Sequence, residues 1–317
     1  MNTTRSRRAL LAAPPTGNLL WRPPQPPADW RGVRDATRFA PSCPQVASPF
    51  APPGPVSEDC LYLNVYTPAV RHSDGSGRPV LVWIHGGGLT QDAARNYGPA
   101  KLAADGVVVP GVVDEERICV SIGRAVSGGT NVPGPELPVT AGNYQSDIAS
   151  VLGVPATRAA VIAAEYPPAA YPLPTAAFSA LVGDTNFACP ALQMGKWIAQ
   201  RVPTFGYDFN DDAAPQLFVP AGVVAPVATH ASELQYLFDL PNVPFPAPLS
   251  VGQQALAASM RAAWANFAAS GSPASGAVPW PAFGGAHRTR MLSLVPPRPQ
   301  IETDFASGHH CSFWAAR

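Results

Sequence analysis

The run from Val80 to Gly88, VLVWIHGGG, constrains this chain more than any other stretch. Its apolar, β-branched and aromatic residues follow one another without alternation. That pattern predicts a strand buried on both faces, of the kind found inside an α/β sheet. Three glycines come directly after it. Glycine lets the backbone approach another group closely and adopt φ > 0 without a Cβ penalty. A buried strand that ends this way can present consecutive backbone N–H groups at the C-terminal end of a sheet. Two such donors can stabilise an oxyanion, and losing one donor of this type costs ~3 kcal/mol of transition-state stabilisation. The plainer alternative is a tight glycine turn with no chemistry.

The remaining patterns fit an α/β architecture. LYLNVYTP, from Leu61, alternates like a half-buried strand, and DGSGRP (74–79) is a turn. YGPAKLAADG predicts a short helix stopped by Gly106. VVVPGVV (107–113) is strand-like, but Pro110 removes a ladder donor, so an uninterrupted central strand is not expected there. ERICVSI (116–122) predicts a strand, followed by loop to residue 138. The second half is more helical: TAGNYQSDIASVLG closing at Gly153, TRAAVIAAEYP, TAAFSALVGDTNFACPALQMGKWIAQRV, SELQYLF, and GQQALAASMRAAWANFAASG (252–271). TFGYDFN (204–210) and RMLSLV (290–295) read as strands. Residues 14–56 are proline-rich and irregular, with Trp21 and Trp30 as anchors.

Composition narrows the function classes. The chain has 317 residues and zero net charge, with 13% charged residues, so nucleic acid and anionic membrane are not expected partners. No apolar run is long enough to span a bilayer. At the N-terminus, Arg5, Arg7 and Arg8 resemble the basic start of a signal peptide. The apolar stretch after them is only Ala9 to Ala13, below the ~7–15 residues such peptides use, so residues 1–13 are expected to fray. None of the five cysteines forms a C-x-x-C pair, so no metal or cofactor is expected.

SEDCLYLNVYTP and PVLVWIHGGG together resemble the N-terminal signature of the type B carboxylesterases, which include the cholinesterases. PPTGNLLWRPPQPPADWRGVRDATRFAPSCPQ resembles the family's N-terminal segment, ATHASELQYLF its histidine segment, MRAAWANFAASGSP with VPWPAF its C-terminal helix and turn, and HHCSFW its end. Ordered motifs of this number are far more specific than any single one. The resemblance implies an α/β-hydrolase fold, mainly parallel with helices on both faces, as a single domain over residues 14–317. It also implies hydrolysis of a small-molecule carboxylic ester through acylation of a serine. Gly87 and Gly88 would donate oxyanion N–H groups, His230 would be the general base and acid, and Glu115 would orient it. Cys43 would pair with Cys60 and Cys189 with Cys311, leaving Cys119 free. Two disulfides would place the chain in an oxidising compartment, although its N-terminus lacks a convincing export signal. Each role has a plainer counterpart: His230 capping the SELQYLF helix, and Glu115 a solvated carboxylate in the run from Asp114 to Arg117.

One part of the family pattern is missing. The nucleophile should stand on a strained strand-to-helix elbow, G-x-S-x-G, and no serine here has glycine at both −2 and +2. Ser127, in AVSGG, comes nearest, yet it follows Glu115 in the chain and reads as part of a glycine-rich loop. The elbow belongs between the HGGG strand and Glu115, so a block is expected to be absent near 109–111. Loss of a central strand would leave its neighbours either to re-pair or to expose apolar surface. The expectation is an internally shortened carboxylesterase with weak or no activity. The alternatives are a non-catalytic binding or adhesion member of the family, or a defective gene product.

Overall fold

The computed structural model describes residues 5–32, 35–45, 54–68, 77–87, 91–112, 139–218, 228–274, 279–284 and 289–316, with 5–10 and 109–112 described as backbone. In chain order the elements are β1 (Arg5–Leu10), β2 (Tyr62–Thr67), β3 (Trp83–Ile84), α1 (Ala100–Ala104), β4 (Val109–Val112), α2 (Tyr144–Leu152), α3 (Ala156–Glu165), α4 (Pro174–Gly183), α5 (Cys189–Ile198), β5 (Gly206–Phe209), α6 (Leu234–Leu237), α7 (Val251–Ser270), β6 (Met291–Leu294), β7 (Gln300–Glu302), α8 (Phe305–Gly308) and α9 (Cys311–Ala315). They divide between two compact units. The first is Met1–Cys119, Leu234–Pro244 and Ala257–Ala277; the second is Val120–Glu233, Phe245–Leu256 and Val278–Arg317.

The first unit is built on a mixed sheet of order β1-β2-β4-β3. β2 pairs antiparallel with β1, from Arg5 opposite Thr67 to Leu10 opposite Tyr62, and antiparallel with β4 on its other side. RSRRAL has no strand periodicity. It pairs because β2 offers an edge of N–H and C=O groups that would otherwise face solvent. β3 runs parallel to β4, and a bridge between Val80 and Val108 extends that alignment backward along the VLVWI run. Pro110 lies inside the sheet, opposite Val65. The expected interruption does not occur, because the ladders at β4 are only two or three pairs long and proline withholds a single donor from them. β3 forms the edge of the described sheet, and Val80 and Val82 beside it are 55% and 52% exposed. Leu102 of α1 is fully buried, and Gly106, with φ +100, ends that helix turn as the sequence predicts.

The second unit is mostly helical. α2 stops at Gly153, whose φ of +62 is the left-handed C-terminal conformation, and Pro155 opens α3. Tyr144 and Ile148 on α2, with Ala159, Ile162 and Tyr166 on and after α3, repeat at three and four residues and form one buried stripe. α4 is buried from Ala176 through Gly183 and continues through a π-helical turn, Asp184–Ala188, into α5. The five-residue hydrogen-bond step of that turn rotates Phe187 and Cys189 off the α-helical register. The sheet of this unit is β5-β6-β7, parallel in the first pair and antiparallel in the second.

Candidate functional site

The glycine loop belongs to the first unit. His85, which ends the strand, is buried, and its Nδ1 lies 2.7 Å from the Gly86 carbonyl. A carbonyl only accepts, so Nδ1 donates. Its Nε2 and the Trp83 Nε1 are buried with no hydrogen-bond partner among the described residues. Gly87 has φ +119, and a Cβ built on it would stand 2.0 Å from the Gln91 carbonyl oxygen. That oxygen belongs to backbone and cannot swing aside, so the position requires glycine for two independent reasons. Gly86 meets no such obstacle. Gly88 lies outside the described residues.

The backbone that Gly87 approaches is held by Asp92, a residue the sequence patterns do not mark. The Asp92 N–H donates to Gln45 Oε1 at 2.7 Å, and its carboxylate accepts from the Ala93 N–H, Asn96 Nδ2 and Tyr97 hydroxyl. Gln45 in turn donates to the carbonyls of Cys43 and Asp92. The disulfide between Cys43 and Cys60, Cα atoms 5.0 Å apart, closes this segment as the resemblance implied. Behind the strand, the ring of Trp83 lies 4.4 Å from Phe238 and 5.3 Å from Tyr97. The backbone beside Gly87 is therefore held by the hydrogen bonds of Asp92, and the strand before it by the aromatic packing of Trp83.

His230 belongs to the second unit, in a turn fixed on both sides. Ser232 Oγ donates to the Thr229 carbonyl at 2.7 Å and accepts from the Thr229 N–H, while Thr229 Oγ1 donates to Gln216 Oε1. The Ala228 N–H donates to Asp212, and Ala231 takes φ +68 to close the turn. The imidazole of His230 is exposed and stacks on Phe187, centroids 5.2 Å apart and planes 25° from parallel. No carboxylate among the described residues hydrogen-bonds to its ring. Glu115, the expected orienting acid, and Ser127 both fall in 113–138, outside the described residues, as does Cys119. Phe187, which lies in the π-helical turn, is a second residue that sequence patterns leave unmarked.

The second disulfide, Cys189–Cys311, closes a separation of 122 residues with Cα atoms 5.3 Å apart. Both pairings implied by the resemblance are formed. No single helix among the described residues is long and apolar enough to cross a membrane.

These features coincide with those of known proteins. The Carboxylesterase family model matches residues 11–112 and 163–314, most of the chain, in two segments that leave 113–162 between them. The chain belongs to the carboxylesterase family, and with it to the α/β-hydrolase fold. Among curated relatives it is 47% identical over 107 residues to a phenmedipham hydrolase of Pseudarthrobacter oxydans, a stretch that is 31% of this chain and 21% of that protein. It is 48% identical over 110 residues to a cocaine esterase of Oryctolagus cuniculus and 44% identical over 111 residues to liver carboxylesterase B-1 of Rattus norvegicus. Those stretches are again 31% of this chain and 20% of each relative. The matched part thus spans about a fifth of the length of these relatives.

Proposed function

We propose that this chain is a carboxylic-ester hydrolase by descent that turns over esters weakly or not at all, because its family's serine elbow is missing. The observation that carries this reading is the coexistence of a family match on both sides of 113–162 with the lack of any G-x-S-x-G in the sequence. In this reading residues 14–317 are one carboxylesterase-like domain, internally shortened near 109–111. The Gly87 and Gly88 amides are what remains of an oxyanion hole. The locked backbone at Gly87 supports that role, since such donors work only when their geometry is fixed before the reaction. His230 is the retained base, and its exposure leaves the imidazole accessible to solvent and solutes. Glu115 is its orienting acid, and Ser127 remains the nearest stand-in nucleophile. The substrate class is a small carboxylic ester. The two disulfides support an oxidising compartment.

Without a nucleophile, oxyanion donors and binding alone supply about 10³–10⁴-fold over water even in a well-formed site. Hydrolysis of p-nitrophenyl acetate by the full chain is therefore expected to stay below that ceiling and to change little in a His230→Ala variant. Turnover that falls a hundredfold or more on that substitution would contradict the reading, because it would require a working nucleophile–histidine pair.

A further inference from the structure

A buried cluster in the second unit plays no part in that chemistry. His309 lies between α8 and α9 with its side chain 4% exposed. Its Nδ1 is 2.6 Å from Asp184 Oδ1, at the start of the π-helical turn, and its Nε2 is 3.3 Å from Asp208 Oδ2 on β5. A neutral imidazole donates from one nitrogen only. Donation to two carboxylates, which only accept, requires a proton on both nitrogens. Asp184 is held in turn: its Oδ2 accepts from the Tyr166 hydroxyl at 2.9 Å, and that hydroxyl accepts from Trp314 Nε1 at 2.7 Å. The Phe305 ring sits 4.2 Å from the imidazole and covers it. The other titratable neighbours are the half-buried pair formed by His310 and Glu165, 2.6 Å apart, and the exposed Asp304 ahead of α8.

We propose that His309 is a buried imidazolium that latches the C-terminal segment, residues 305–315, onto the core of the second unit, and that the latch loosens when the ring gives up its proton. Burial alone would lower the pKa of His309. The hydrogen bonds and charges of Asp184 and Asp208 outweigh it and push the pKa up to about 9 from 6.5. The folded chain then holds this proton about 300-fold more tightly than the unfolded chain. With the folded value raised, the stabilisation is complete below about pH 6.5 and is lost as pH rises through about 9. A neutral ring withdraws one donor. The contact to Asp208 is the longer of the two and is the one expected to be lost. Asp208 Oδ1 already lacks a partner among the described residues, so its carboxylate would then be buried and unpaired.

The test follows the imidazole nitrogens of the full chain by ¹⁵N NMR from pH 6 to 10.5, with unfolding measured over the same range for the wild type and for His309→Gln. The expected result is both His309 nitrogens protonated at pH 7 and a midpoint near 9. The stability difference between the two chains should shrink about 150-fold in equilibrium constant between pH 6.5 and 10. Asp208→Asn should move the midpoint down toward 6.5. A midpoint at or below 7 in the wild type overturns the proposal, and so does a difference between the chains that stays constant with pH. Should His309→Gln fail to fold, the wild-type titration alone decides.

Discussion

Two of the second unit's histidines stand in opposite settings. His309 is buried between two carboxylates and covered by a phenylalanine, while His230 is exposed on a rigid turn with only a stacked ring, Phe187, beneath it. Read as a bare list of contacts, His309 is the better imitation of a catalytic histidine, since it has the acid that a base needs for orientation. Yet nothing can reach it. His230, which the sequence resemblance puts forward as the base, has access to solvent but no hydrogen-bonded carboxylate among the described residues. The contrast teaches that a histidine–carboxylate contact is evidence of a held proton, and of catalysis only where a substrate can arrive.

The contrast can be broken by deleting each ring in turn. His309→Ala strands two buried carboxylates and should cost about 3–5 kcal/mol in urea unfolding at pH 7; a loss under 1 kcal/mol would mean the cluster is not ionic. Replacing Cys189 and Cys311 by serine releases the segment that carries His309 and should cost about 2–4 kcal/mol, read as the midpoint shift in the same assay. Gly87→Ala extends the comparison to the first unit, where backbone and not charge sets the constraint. The strained φ and the clash with Gln91 should cost about 1–3 kcal/mol, seen as a lowered melting temperature. His230→Ala should change stability by less than about 0.5 kcal/mol, as expected for an exposed side chain. A large loss there would show that the Phe187 stack is structural.

What the sequence makes legible follows from the range of each interaction. The alternation at Tyr62–Thr67, the periodicity of Val251–Ser270 and the glycine stops at Gly106 and Gly153 are local, and the elements form where those patterns place them. β1 is not legible, because RSRRAL becomes a strand only through the partner it meets. Pro110 inside a sheet runs against its local preference for the same reason, since neighbours on both sides set the conformation. At the candidate site, the glycine run showed that a special backbone was needed at Gly87, but not that the Gln91 carbonyl is what demands it. Asp184 and Asp208 stand 125 and 101 residues from His309, so no local pattern announces their meeting. The disulfides became readable through family resemblance, not through spacing.

The central claim concerns a nucleophile, and covalent labelling addresses it most directly. The full chain would be treated with excess fluorophosphonate and its intact mass compared before and after. The expected spectrum shows the unmodified mass alone. A stoichiometric adduct on one serine would contradict the account and would identify the residue that does the chemistry.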